Sequence, residues 1–366
     1  MSVMQHTKVA MSDASCASTP AVSRLQTSAD HRLLISPTDT SAHTSTQDMF
    51  NGTIMSRGPP YASPFAAPGG LPTISIDVPI SAVFLLLYLL GAIVNLTTFR
   101  IDLKHDRRFL ISWALGGFCA SRVLTCILRI AWATKPESVR IAIAATVFTN
   151  AGVIVVYIVN FILTLRILRA RQPTIGWSRV LHCTSIALYV AAGIGIALLV
   201  SMIVTSAYTL DQQLLHHARN IELAVITYFT ILAFLAPSML ALSLLMPTTH
   251  DVQQSGQRDI HFKILLLGLT TSLSSVIACY RVGTSWQTPR PITSPAWYDT
   301  RAAFYCFGFT MEVLIVLLFI VTRIDRVFFV PKGSSKRRSY QEVDEKGSRS
   351  DSESGRNEEA RMQQEV

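Results

Sequence analysis

A chain of 366 residues that is half hydrophobic, only 15% charged and +0.38 in mean hydropathy is suited to a bilayer, because soluble domains carry roughly a quarter charged residues. Its formal net charge of +9 does not imply a nucleic-acid partner: the basic residues cluster beside apolar runs, and no nucleic-acid-binding motif accompanies them. Six cysteines do not imply a disulfide or zinc framework either, since no CxxC occurs, and Cys119, Cys126, Cys279 and Cys306 fall inside apolar runs as small packing residues.

Residues 1–78 are rich in Ser, Thr, Ala and Pro, contain no apolar run of signal-peptide type, and read as a disordered extracellular tail. Asn51-Gly52-Thr53 within it is a glycosylation sequon, usable where that tail is extracellular or lumenal. From Pro79 onward seven apolar runs follow in quick succession, 79–99, 109–132, 141–165, 180–207, 221–245, 264–282 and 302–322. Each is near or above the roughly 20 residues that a helix needs to cross the hydrocarbon core. The expected fold is therefore all-α, a polytopic bundle of seven transmembrane helices over 79–322, with a second disordered tail over 323–366.

Loop charges orient the bundle. Arg100 to Arg108, Arg166 to Arg179, Arg258 with Lys263, and the basic residues after 322 all fall on one side, against only Lys135, Arg140, Arg219, Arg290 and Arg301 on the other. The positive-inside rule then puts the N-terminus outside and the C-terminus in the cytoplasm. Trp113, Trp132, Trp286 and Trp297 lie near span ends, as an aromatic belt requires. Ala187, Ala191 and Gly195 have the small-xxx-small spacing of a close helix contact, and Pro237 is expected to kink the fifth span. A short echo, Cys126-x-x-Arg129 before Trp132 and Cys279-x-Arg281 before Trp286, suggests a parallel repeat pairing helices one to three with five to seven.

An arginine at the centre of a span costs about 2.5–3.5 kcal/mol on insertion scales and normally faces the bundle interior. Counting along each run puts Arg122, Asn150 and Glu312 at similar depth near the midplane. Arg129, Glu222 and Arg281 fall near the outer ends, as a shallower cluster whose long side chains can reach water. Two readings of the deep group stay open. In one it lines a cavity where Arg122 holds an anionic headgroup or carboxylate, with Glu312 as counter-ion or protonatable partner. In the other, Arg122 and Glu312 are a permanent pair that sets helix register, and Asn150 completes the hydrogen bonds. The basic segments 166–171 and 336–338 suit anionic lipid or a cytoplasmic partner, with Ser339 as a phosphorylation site that would weaken the attraction.

The chemistry that is missing narrows the function. No group of histidines and acids converges as a zinc site, the last span has no lysine for a retinal Schiff base, and no P-loop or Ser/His/Asp grouping occurs. No enzyme activity and no cofactor are expected. An Asp-Arg-Tyr motif after the third span and an Asn-Pro-x-x-Tyr motif in the seventh are both lacking.

Several stretches together carry a resemblance: Leu128-Arg-Ile-Ala-Trp-Ala133, Asn150-Ala-Gly-Val153 with Tyr157 and Asn160, Arg166-Ile-Leu-Arg-Ala170 with Pro173, Tyr280-Arg281, Pro295-Ala-Trp297, Glu312, and Arg323-Ile-Asp-Arg326 with Phe328 and Pro331. Over most of residues 80–331 this pattern resembles a family of filamentous-fungal seven-helix membrane proteins of unknown function, sometimes labelled family C-like G-protein-coupled receptors. Tyr280-Arg281, Glu312 and Asp325 are more loosely similar to the fungal RTA-like lipid-translocating exporters. That similarity implies lipid movement or resistance to toxic amphiphiles, with Arg281, Glu312 and Asp325 as the positions of interest. The leading expectation is a multi-pass protein of the plasma membrane or another secretory-pathway membrane that translocates, or protects against, an amphiphilic or anionic small ligand through its polar interior. The alternative is a receptor-like sensor that signals to a cytoplasmic partner through its loops and tail; a membrane organiser without a ligand is the third.

Overall fold

Every apolar run becomes a long helix in the computed structural model, which describes residues 58–104, 110–246 and 259–328. The helices are α1 (Asp77–Lys104), α2 (Leu110–Thr134), α3 (Val139–Arg171), α4 (Arg179–Tyr208), α5 (Gln212–Leu245), α6 (Ile260–Trp286) and α7 (Arg301–Val321), and there is no strand among the described residues. All seven are long and apolar enough to span a membrane, so the chain is an all-α, multi-pass bundle. Asn51, Ser339 and the expected start of the second span at Phe109 lie outside the described residues.

The helices overrun the apolar runs at several ends. Hydropathy locates the lipid-facing middle, whereas the helix continues into polar turns where capping is available. α5 starts at Gln212 because the Asp211 side chain accepts from the Gln213 N–H (3.0 Å), and α4 starts behind Ser178, which accepts from the Leu181 N–H (3.3 Å). α3 carries on through Arg166 and Arg169 to Arg171 and stops before Pro173, whose ring opens a one-turn helix, Pro173–Gly176.

α3 is the central helix. Of its most hydrophobic stretch 72% is buried, against 17% for α4 at the periphery. It packs on α2, α4, α5 and α6, while α7 sits between α1 and α6. Val153, Val156, Tyr157, Leu163 and Ile167 of α3 form the middle of the core with Phe229 and Leu232 of α5, Leu267 and Ile277 of α6, and Ile315 and Phe319 of α7. Val180, Ile186, Val190 and Ile194 of α4 face outward, as expected of a helix whose surroundings are lipid. The close-packing stripe of α4 differs from the expected one. Ser185, Ala192, Gly195 and Leu199 are buried, whereas Ala187 is exposed; only Gly195 belongs to both. A Cβ on Gly195 would come within 3.0 Å of the Phe229 ring, so a bulky neighbour on α5 determines which small residues are used.

Of the tail expected over 1–78, residues 1–57 lie outside the described residues. Residues 58–76 cross the end of the bundle where α1 begins, tied by backbone hydrogen bonds from Tyr61 to Ala207 (2.7 Å), Ala66 to Arg290 (2.8 Å) and Gly69 to Asp299 (3.0 Å). Gly69 has φ +82°, and a Cβ there would sit 2.8 Å from both Arg129 Nη2 and Phe304, so only glycine fits this crossing. Composition points to disorder because the segment has almost no core of its own; it borrows its order from loop and helix ends that a local reading does not see.

Candidate functional site

α2 carries Arg122 to full burial, and α7 brings Glu312 to meet it: Nη2 and Oε1 are 2.6 Å apart. A desolvated pair is costly, and hydrogen bonds to its remaining polar atoms offset part of that cost. Arg122 Nη1 donates to the α3 carbonyls of Phe148 (3.1 Å) and Thr149 (3.0 Å), and Glu312 Oε2 accepts from the Tyr88 hydroxyl (3.3 Å). The Phe118 and Phe309 rings lie 5.4 and 5.7 Å from the guanidinium carbon. Gly152 makes room on α3: a Cβ there would stand 3.0 Å from Arg122 Cζ.

Asn150 does not complete this pair. Its Oδ1 accepts from Arg281 Nη1 (3.0 Å), and Arg281 Nη2 donates to the Thr149 carbonyl (2.8 Å). That carbonyl is the one Arg122 uses, so two guanidinium groups converge on a single oxygen. The shallow cluster of Arg129, Glu222 and Arg281 divides three ways. Arg281 is half-buried and lines the cavity described below. Glu222 pairs with Arg219 across one helical turn at 3.8 Å, and Arg219 also donates to the Ser285 carbonyl. Arg129 bonds Asp77 Oδ1 (3.2 Å), the Gly69 carbonyl (2.9 Å) and the Tyr305 hydroxyl (3.0 Å), with the Phe304 ring 4.3 Å from its guanidinium carbon. Depth alone could not separate these residues, because hydropathy gives the height of a side chain and not the direction it leaves its helix. Arg129 and Arg281, the matched positions of the sequence echo, have unrelated surroundings.

Asp77 escaped the sequence reading because it sits just before the first apolar run. It is 1% exposed and also takes Arg301 Nε (3.0 Å), the Tyr305 hydroxyl (3.0 Å) and the Thr73 N–H (2.8 Å), which fastens α1, α2 and α7 at this end. The sequence offered one signal, an acid one residue into a helix start. A second feature without an obvious signal is the π-helical stretch Phe304–Thr310 inside α7, where the Thr310 hydroxyl donates to the Tyr305 carbonyl (3.0 Å). Such wide turns recur at functional sites. Here Phe304, Gly308 and Phe309, with Glu312 one turn on, all face one cavity.

That cavity has a volume of about 90 Å³ and opens at one end to its surroundings. Arg122, Asn150, Tyr157, Arg281 and Glu312 supply the polar part of its lining, Ile154, Leu199, Ile226, Phe229 and Phe309 the apolar part, and Pro68 of the crossing segment also lines it. Arg122 Nε and the Tyr157 hydroxyl are both buried and without a hydrogen-bond partner. Asp325 lies elsewhere, at the far end of α7, paired with Arg323 at 3.3 Å. The basic residues at the end of α3 are drawn into the fold: Arg166 donates to the Phe328 carbonyl (2.8 Å), Arg171 to the Ser243 carbonyl (3.1 Å), and Arg169 to the Gly176 carbonyl (3.2 Å) while stacking on Trp177. Among the described residues no group of three or more His, Cys, Asp or Glu side chains is placed to hold a metal ion.

A family described as a protein of unknown function (DUF3112) matches residues 252–329, the stretch that supplies α6 and α7 and with them Arg281 and Glu312. No curated protein and no solved structure matches the chain.

Proposed function

We propose that this membrane-spanning protein admits an amphiphile to its interior cavity and passes it between the two sides of the bilayer, with the N-terminus outside and the C-terminus in the cytoplasm. The observation that carries this reading is the mixed lining of the cavity, where arginines, asparagine and glutamate stand beside aliphatic and aromatic side chains. A headgroup would lie against α3 and α6 at Asn150 and Arg281, and a hydrocarbon chain against α4 and α5. The Arg122–Glu312 pair joins α2 to α7 across the cavity and would be the contact to break if α7 swings during transport. A sensor reading relies on cytoplasmic loops and tail engaging a partner; the tail lies outside the described residues, and Arg166, Arg169 and Arg171 already bond within the fold, which favours transport over a contact made through these arginines.

The test is reconstitution of the full chain in liposomes containing a fluorescent lipid whose outer-leaflet label can be chemically quenched. Protein-dependent exposure of inner-leaflet label is expected. Gly308→Leu should slow it, because a side chain added at Gly308 meets no atom within 4 Å and would enlarge into the cavity that this residue lines. Equal traces from protein-containing and empty liposomes would remove the proposal.

A further inference from the structure

We infer that the polar wall of the cavity is a binding site for a singly charged anionic headgroup, a carboxylate, sulfate-monoester or phosphate-diester group, read by Arg281 together with Arg122 Nε and the Tyr157 hydroxyl. The inference rests on the amphiphile reading above and specifies its charge. The charge count comes first. Two guanidinium groups meet at the Thr149 carbonyl, and Glu312 satisfies one of them. Arg281 has no carboxylate within 4 Å among the described residues, only the neutral Asn150 and Thr149 oxygens. An unmatched positive charge among apolar helices is unfavourable, and one further negative charge would neutralise the wall.

The donors point the same way. Arg122 Nε is an N–H without an acceptor on a residue that is 0% exposed. The Tyr157 hydroxyl is also unpartnered, on a residue 2% exposed. Buried polar groups in native proteins are nearly always bonded, so unpaired donors on a cavity wall mark where an acceptor belongs. Both line the same cavity as Arg281, and together they make a donor set with no competing acid other than the committed Glu312. A trimethylammonium headgroup would leave these donors unsatisfied, and a neutral hydroxyl would accept from them but leave the positive charge of the wall unmatched. Across the cavity, Leu199, Ile226 and Phe229 offer an apolar surface to whatever the anion is attached to.

The experiment compares three probes with one hydrocarbon chain, dodecanoate, dodecanol and dodecyltrimethylammonium. Each displaces a fluorescent fatty acid from the full-length protein in phosphatidylcholine nanodiscs, and protein-free discs correct for partition into lipid. Dodecanoate should bind at least roughly tenfold more tightly than the other two, the gain typical of a hydrogen bond to a charged group. Arg281→Gln should abolish that preference, and Arg281→Lys should keep part of it. Tyr157→Phe should weaken dodecanoate several-fold without lowering the melting temperature, since its hydroxyl has no partner in the protein to lose; a purely structural role would show the reverse. Equal affinity for dodecanoate and dodecanol, or a preference that survives both Arg281→Gln and Tyr157→Phe, overturns the anion site while leaving an amphiphile cavity in place. Failure of all three probes to bind overturns the cavity reading and this inference with it. Displacement by acetate at the same concentrations as dodecanoate keeps the anion site, assigns it to a soluble solute, and removes the amphiphile.

Discussion

Removing either member of the Arg122–Glu312 pair leaves the other as a buried charge without its counter-ion, which costs about 3–5 kcal/mol. Arg122→Ala and Glu312→Gln should therefore each lower unfolding stability in detergent by an amount of that order. The double variant should lose less than the sum, because the first change already removes the interaction; strictly additive losses in a double-mutant cycle would show that the two do not act as a unit. Asp77 invites a parallel experiment at the end where α1 begins. It holds Arg129, Arg301 and the Tyr305 hydroxyl at once, so Asp77→Asn should loosen residues 58–76 and raise their susceptibility to limited proteolysis. An unchanged digestion pattern would place the anchoring of that segment in its backbone hydrogen bonds instead.

Among the helices, two glycines separate packing from propensity. Gly152 of α3 lies against Arg122 of α2, and adding a branched side chain by Gly152→Val should cost about 1–3 kcal/mol through overpacking and displace the guanidinium. Gly193 of α4 has nothing within 4 Å of its would-be Cβ, so Gly193→Ala should be neutral or stabilising by up to about 1 kcal/mol. Thermal unfolding of the two variants side by side measures the contrast, and equal losses would contradict the observed packing. The π-helical turn of α7 belongs to this scale too. No residue in Phe304-Tyr-Cys-Phe-Gly-Phe-Thr310 demands it, and it forms within the packing of aromatic rings, where Phe84, Phe304, Tyr305 and Phe309 lie within 6 Å of one another in successive pairs.

For the molecule as a whole, the distribution of Lys and Arg predicts which face meets the cytoplasm. Enzymatic deglycosylation should shift the mobility of the wild-type chain and leave Asn51→Gln unchanged, because the sequon at Asn51 would then lie on the glycosylated side. A sequon engineered after residue 330 that becomes glycosylated would reverse the orientation and, with it, the side from which the cavity is filled.

Seven helices and their order were legible from hydropathy because a bilayer leaves a spanning chain few other ways to bond its backbone. The shared depth of Arg122 and Glu312 was legible as well, since each residue advances a helix by a constant rise. Tertiary structure decided everything that depends on rotation about a helix axis and on segments that have no core of their own. It turned Arg281 towards α3, gave Asn150 to Arg281 instead of Arg122, chose the buried stripe of α4, and tied residues 58–76 to the loop before α7. The physical reason is common to all four. A chain nearly apolar on every side carries little periodic signal to say which face is inward, so the azimuth of a polar side chain is set by the shapes of the neighbours that pack around it.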